Sequence, residues 1–452
     1  MERGMVSQKS TKWLTAKQHC IYSCLLMCCF LNLSIQATET DAAETDLADK
    51  TATKHLPLDE LRIFAEVYNR IKSTYVEEVD DTTLIKGAIA GMLDSLDPHS
   101  RYLDSDAFDD IQDSSSGQYG GLGVQVVPED GGIKIITPLD NSPAKRAGIN
   151  AGDMVVKINN SPLRNVKAND AMEMMRGEMG EKIQLTIRRE GVDELLEFDL
   201  IREIIKLSSI RGLWLGNGIA YVRISQFQRR TGYDLSEAIE KLREQHNGKI
   251  KGLILDMRDN PGGVLIAAEA VSNAFLEEGL IVSTRGKIVE SNYQFHADKG
   301  DVLYGAPIIV LINGGTASAA EIVAGALQDH KRAIILGTRS FGKGSVQTVM
   351  PITNNAALKL TTSRYYTPSG RSIQGTGISP DIEIRQREIA AVEEQVSEVY
   401  ESDLKGSLTN DSLSTSKDDI SEEVQRALES DFQLAEALNL LRGISILSLK
   451  SN

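Results

Sequence analysis

The sequence predicts a multi-domain α/β protein, and three observations lead to that class. The chain has 452 residues, enough for two or three domains at about 100–200 residues each. Two short apolar runs, 252–256 (GLILD) and 307–312 (PIIVLI), read as strands buried on both faces. Each leads through a loop into a helical pattern, the alternation that layers helices on a sheet. Hydrophobic residues are 41% and charged residues 25%, which excludes whole-chain disorder and collagen-like structure. The 49 basic and 64 acidic residues give a net charge of −15. Such a surface argues against nucleic acid as a partner, because phosphate binding needs a basic footprint.

The N-terminus carries Arg3, Lys9, Lys12 and Lys17, then an apolar run at 21–35, then Ile35-Gln36-Ala37 before an acidic stretch. This is the order of a secretory signal, so residues 1–37 are expected to be a leader. The run is short for a membrane helix, which needs about 20 residues. An uncleaved anchor is the alternative, and a lipoprotein is disfavoured because Met27 precedes Cys28. Export to the periplasm follows, with inner-membrane association if the leader is retained. Cys20, Cys24, Cys28 and Cys29 all lie in this leader. The mature chain then has no disulfide, no cysteine nucleophile and no thiolate metal site. The leader holds four basic residues and one acidic residue, so its removal leaves a net charge of −18.

Residues 38–114 read as an N-terminal helical segment. Leu58, Leu61, Phe64, Val67, Tyr68 and Ile71 recur at helical spacing, and a second helix spans 82–96 before Asp97-Pro98. The stretch 114–120 (SSSGQYG) marks a boundary. Residues 115–204 then read as a small mixed unit. It has a hairpin at 121–136, a short helix near 142–148 with Pro early and Gly at its end, strands at 154–158 and 183–187, and a helix at 168–176. Residues 205–385 alternate strand and helix, with helices at 264–276 and 318–327 and strands at 332–336, 345–351 and 358–366. Residues 386–452 form an acidic helical C-terminal region. Positions 391–452 hold 13 acidic and 5 basic residues, and a low-complexity stretch at 407–416 separates two helical segments. The last helix presents Leu434, Leu438, Leu441 and Ile444 as a stripe expected to pack on the parent domain.

Three loops have chemistry within reach. The run after the second buried strand, Asn313-Gly314-Gly315-Thr316-Ala317-Ser318-Ala319-Ala320-Glu321, puts Ser318 at a helix N-terminus. Free N–H groups and the positive helix end suit a developing oxyanion there. Helix capping is the bland role for the same serine. The loop 256–263 (DMRDNPGG) likewise joins strand to helix, and Gly262 can offer its N–H to the same site. A plain Pro-Gly turn is the alternative. The third loop, 337–345 (GTRSFGKGS), admits three roles. A phosphate loop, and with it a nucleotide hydrolase, is disfavoured because Gly344 replaces the Mg²⁺-binding hydroxyl and a strand pattern follows. A Ser340-x-x-Lys343 nucleophile motif needs helical geometry that Gly342 opposes. The last role is Lys343 as general base for a distant serine. Its reference pKa is about 10.4, so reaching ~7 costs about 4–5 kcal/mol and demands a closed apolar site. His55, His99, His246, His296 and His330 form no H-E-x-x-H or H-x-H pair, so no metal site or other cofactor is expected.

In joint order these segments resemble the C-terminal processing peptidases, or tail-specific proteases, across nearly all of 57–385. The resemblance rests on Gly121-Leu122-Gly123-Val124, Ser142-Pro143-Ala144, Gly152-Asp153, the 256–263 loop, 316–321 (TASAAE) and 341–347 (FGKGSVQ). It implies a mixed α/β peptidase core with an inserted PDZ domain at 115–204, and a serine endopeptidase with a Ser–Lys dyad. Ser318 is then the nucleophile, Lys343 the base and Gln347 the group that orients it. Gly262 and Ala319 N–H groups form the oxyanion hole, and Gly121, Leu122, Gly123 and Val124 bind the peptide terminus. Protein or peptide substrates with free C-termini are the implied partners. An adaptor or a second copy at the terminal helices, and membrane proximity, complete the partner expectations. The main alternative is an inert PDZ-containing peptide-binding protein. Thr316 and Met257 depart from the usual family residues without touching a proposed role.

Overall fold

The computed structural model of the chain describes residues 57–129, 131–164, 166, 168–246, 248–298, 300–353, 355–387, 404–405 and 421–448. The leader, its four cysteines, His55 and the 407–416 stretch lie outside the described residues. The chain divides into two units, 1–78 and 79–452. In the first, the helical spacing of the sequence forms α1 (Leu58–Thr74), with Asp59 and Glu60 in the first turn and Lys72 in the last, charges that suit the helix dipole.

The second unit opens with α2 (Asp81–Asp94), capped by the Asp80 carboxylate on Thr83 N–H. β1 (Arg101–Leu103) and α3 (Ser105–Ser116) follow. α3 runs through the serines at 114–116 that the sequence marked as a boundary. Asp104 caps its start, and Gly117 at φ 71° ends it.

Residues 118–206 contain β2 (Gln118–Gly121), β3 (Val124–Glu129), β4 (Gly132–Pro138), α4 (Pro143–Arg146), β5 (Met154–Ile158), β6 (Ser161–Pro162), α5 (Ala168–Met175), β7 (Lys182–Arg188), β8 (Leu196–Ile201) and β9 (Glu203–Lys206). The antiparallel order is β3-β4-β5-β7-β8, with β6 on β5. Alternating inward residues Ile133, Ile135, Ile183, Leu185 and Ile187 build its own core. β2 and β9 pair separately as an antiparallel ribbon.

The remaining chain gives β10 (Ile210–Trp214), β11 (Ile219–Ile224), α6 (Thr231–Gln245), β12 (Gly252–Asp256), α7 (Leu265–Asn273), β13 (Leu280–Gly286), β14 (Gln294–His296), β15 (Ile308–Ile312), α8 (Ala319–Asp329), β16 (Ala333–Gly337), β17 (Ser345–Pro351), β18 (Ala357–Tyr366), β19 (Ile382–Glu383), α9 (Glu422–Ser430) and α10 (Phe432–Ser448). β10-β11-β12-β15-β16-β19 form one sheet, parallel from β11 onward. β12 and β15 are buried at every position, as their apolar runs require. One sheet face packs with α6, α7 and α8 around Phe227, Leu255, Val310 and Val323. The other is covered by α9 and α10 through Val424, Leu434, Leu438 and Leu441, so the C-terminal stripe packs on its parent sheet. A second sheet, β1-β18-β13-β14 with β17 on β18, stands beside the first.

Candidate active site

β12 and β15 are parallel neighbours, so their C-terminal ends deliver the 256–263 and 313–318 loops to the same edge of the sheet. That edge is where open α/β sheets bind ligands. The two loops are tied together directly. Ala317 N–H donates to Asn260 O at 2.9 Å, and Thr316 Oγ1 donates to Met257 O at 2.8 Å. Asn313 Nδ2 donates to Asp259 Oδ1, and Asn313 Oδ1 accepts from Asp259 N–H, both at 2.9 Å.

These ties hold Ser318 at φ 56°, ψ −115°, a conformation that costs a non-glycine residue about 1–3 kcal/mol. Ser318 is buried, and its Oγ lies 3.2 Å from the hydroxyl of Tyr365 at the end of β18. Ala319 opens α8, and its N–H has no acceptor among the described residues. Gly262 has φ 96° and lies against this turn. A Cβ there would stand 2.7 Å from Ser318 Cβ and 2.9 Å from Ala319 N, so only glycine fits. Gly262 N–H donates to Asn260 Oδ1 at 2.9 Å.

Glu321, three residues into the helix, is fully buried. Its Oε2 accepts from the N–H groups of Ser318 and Lys343, each at 2.8 Å. Its Oε1 accepts from Ser340 Oγ at 2.5 Å and Gly342 N–H at 2.7 Å. One carboxylate thus fastens the Ser318 turn to the Lys343 loop. Glu321 carries no catalytic motif in the sequence. The signal was the Ser-x-x-Glu spacing of a capping box.

Lys343 is half-buried, and burial lowers the pKa of its amine, with the charges of Asp97 and Glu321 opposing part of that effect. Among the described residues no hydrogen bond joins Lys343 Nζ to Ser318 Oγ or to Gln347. Gln347 Nε2 instead donates to Ser345 Oγ at 2.9 Å and to Thr361 Oγ1 at 3.1 Å. The cause is a register shift between Val346 and Gln347, which sets Gln347 opposite Thr361 on β18. Gly344 has no room for a side chain, since a Cβ there would lie 2.4 Å from Gln374 N.

Thr361 Oγ1 in turn donates to Asp97 Oδ1 at 3.1 Å. Burial raises the Asp97 pKa, but hydrogen bonds from Ser100, His99 and Thr361 outweigh it and hold the carboxyl below its usual range. His99 is pushed down, first by burial and then by the Lys343 charge. The Asp97–Ser100 turn therefore belongs to the lysine's surroundings, a placement that the sequence did not reveal. Ser340 accepts from Ile378 N–H at 2.7 Å while donating to Glu321, so it serves as a structural bridge.

In the 118–206 unit, Gly121 ends β2 and Val124 opens β3. Between them the N–H groups of Leu122 and Gly123 have no acceptor among the described residues. The Leu122 side chain is buried in the unit's core. Gly123 has φ 70°, and a Cβ there would stand 2.4 Å from Ser142 Cβ.

The model of peptidase family S41 matches residues 218–384, a PDZ domain model matches 110–188, and the model for the N-terminal domain of the activating protease CtpB matches 26–107. The chain is 46% identical over 385 residues to the carboxy-terminal-processing protease of Bartonella bacilliformis, covering 85% of this chain and 88% of that protein. It is 35% identical to the carboxy-terminal processing protease CtpA of Bacillus subtilis, covering 70% and 67%. Among solved structures, the photosystem II D1 C-terminal processing protease matches at 27% identity and a TM-score of 0.43, over 73% of this chain and 87% of that one. With an S41 peptidase domain, a PDZ domain and relatives of this similarity, the chain belongs to the carboxy-terminal processing peptidases, a family of serine-type peptidases.

Proposed function

We propose that the protein is an exported endopeptidase of the Ser–Lys type that grips protein C-terminal tails in its PDZ domain and cuts peptide bonds near them. The observation that carries the reading is the Ser318 turn: a buried hydroxyl at a helix start, beside the unpartnered Ala319 N–H, joined through Glu321 to the backbone of Lys343.

In this mechanism the neutral Lys343 amine takes the Ser318 proton as Oγ attacks the scissile carbonyl carbon. The carbonyl oxygen becomes an oxyanion held by the N–H groups of Ala319 and Gly262, the latter released from Asn260. The lysine ammonium then gives its proton to the leaving amine as the C–N bond breaks. Water hydrolyses the acyl ester by the same route in reverse. Attack requires Lys343 Nζ to come within hydrogen-bond reach of Ser318 Oγ, which can still accept from Tyr365, and Gln347 then orients the amine. The unpartnered Leu122 and Gly123 N–H groups, with Gly121 and Val124 flanking, suit a terminal carboxylate. The acid-rich, cysteine-free mature chain and its basic-then-apolar start suit a periplasmic enzyme.

Ser318→Ala and Lys343→Ala should each abolish cleavage of an unfolded protein while the melting temperature stays within a few degrees of wild type. Full activity in either variant overturns the dyad.

A further inference from the structure

The C-terminal helices carry a polar contact that packing alone does not require. Asp431, at the junction of α9 and α10, meets Arg258, two residues past the end of β12. Arg258 Nη1 and Nη2 donate to Asp431 Oδ1 and Oδ2 at 2.8 and 2.6 Å. The same guanidinium donates through Nε and Nη2 to the fully buried Asp256 at 3.0 and 2.7 Å, and through Nη1 to Gln433 Oε1 at 3.1 Å. Asp256 also accepts from the Tyr221 hydroxyl and from Arg223, whose other Nη donates to Arg258 O at 3.1 Å. Asp431 is fixed in turn by accepting from Leu434 N–H. The donors and acceptors of this buried cluster are mutually satisfied, the condition under which buried charge fixes a unique geometry instead of merely costing solvation.

The cluster grips the loop that reaches the reacting centre. From Arg258 the chain passes Asp259 at φ 57° and Asn260 to Gly262, which abuts Ser318. The far side of that loop is already tied to the Ser318 turn through Asn260 O and Asn313. Its near side is held by Arg258. We propose that Asp431 is a positioning residue for the peptidase reaction, clamping the 257–263 loop through Arg258 so that the Gly262 N–H stays in place beside Ser318. The C-terminal helices thus complete the site from the opposite face of the sheet. This rests on the reading of Ser318 and Gly262 as the reacting centre.

The test compares Asp431→Asn with Leu438→Ala, which removes packing from α10 without touching the clamp. Two quantities are measured on the full chain, kcat and KM for a short fluorogenic peptide and hydrogen exchange of the 257–263 segment. Asp431→Asn should lower kcat about ten- to hundredfold, the scale of a small misplacement at a reacting centre. KM should stay within about twofold, exchange of 257–263 should accelerate, and Asp431→Glu should recover part of kcat. Leu438→Ala should lower the melting temperature with kcat preserved. Unchanged kcat in Asp431→Asn overturns the clamp, as does a fall in kcat that Leu438→Ala reproduces at equal loss of stability. If Asp431→Asn does not fold, Gln433→Leu removes one acceptor of Arg258, along with its own donation to Ile384 O, at similar volume, and should cut kcat severalfold. Unchanged kcat there is equally fatal. Exchange of the loop reads the clamp whether or not Ser318 is the nucleophile, while activity in Ser318→Ala would indict that reading alone.

Discussion

The hydroxyl of Ser318 lies 3.2 Å from the phenolic oxygen of Tyr365. Burial raises the phenol's pKa, so it stays neutral at pH 7 and cannot accept the serine proton. Tyr365→Phe should therefore leave kcat/KM within about tenfold of wild type, the worth of one neutral hydrogen bond. A loss beyond about a hundredfold would make the phenol an acid–base participant.

If Lys343 is the base, the pH profile follows its titration. A lowered pKa means more neutral amine at a given pH, so kcat/KM should rise with pH through a midpoint below the usual lysine range. Asp97 opposes the lowering, so Asp97→Asn should move the midpoint to lower pH. Lys343→Arg should be inactive, because guanidinium stays protonated. A midpoint that rises in Asp97→Asn would contradict the electrostatic assignment. The stability sign is also fixed. The unfolded chain binds the lysine proton more tightly, so stability should rise as pH climbs from the folded pKa to the unfolded one.

Glu321→Gln replaces acceptor oxygen with a donor amide among four converging donors. Each buried group left unpaired costs about 1–3 kcal/mol, and both the serine turn and the lysine loop lose their shared anchor. A lower melting temperature together with a fall in kcat is expected. Ser340→Ala should keep substantial activity yet lose stability on the same scale, because Ile378 N–H is orphaned. Thermal melts and steady-state kinetics on both variants check this, and a stable but inactive Ser340→Ala would point to chemistry at Ser340.

Amidating the C-terminus of a substrate removes its charge and leaves the scissile bond intact. If the Leu122 and Gly123 N–H groups hold that carboxylate, amidation should lower kcat/KM for long substrates and not for short peptides that bypass the groove. Equal rates for acid and amide would exclude carboxylate capture. Gly123→Val is a less clean probe. The left-handed backbone and the Ser142 contact make it destabilising even without peptide.

Burial raises the Asp431 pKa, and the Arg258 hydrogen bonds and charge more than reverse that, holding the carboxyl below its usual range. Its stabilising contribution is complete above the ordinary carboxylate pKa and disappears as pH falls through the lower, folded value. Asp431→Asn should therefore flatten the acid limb of a stability-versus-pH curve. An unchanged limb would show that the carboxylate contributes no linked stability.

Much of this was readable in the residues. β12 and β15 announced themselves because a strand covered on both faces must be apolar throughout, and the stripe of α10 because a helix on a sheet must be apolar on one side. Ser318, Gly262 and Lys343 stood in glycine-bearing strand-end loops. The unread parts depend on distant pairing. Tyr365 reaches Ser318 from 47 residues away. The register shift that turns Gln347 to Thr361 leaves no local mark. Glu321 stood out in no way until its four donors came from two segments, the Ser318 turn and the 340–343 loop. Asp431 lies 173 residues from Arg258, with an ordinary acidic neighbourhood in sequence.

The ribbon of β2 and β9 has a consequence for architecture. The chain leaves for the PDZ unit and returns from it along four paired residues, Gln118–Gly121 opposite Glu203–Lys206, closed at the base by Leu207 N–H on Gly117 O. Entry and exit are thus already neighbours, as in a cassette set into a socket. Deleting 122–202 and joining the ribbon by a two-residue Asn-Gly turn, the loop that suits a tight hairpin, leaves the peptidase sheet with no gap to span. The same socket would accept another domain whose ends lie side by side, so the PDZ unit can be exchanged without rebuilding the peptidase sheet.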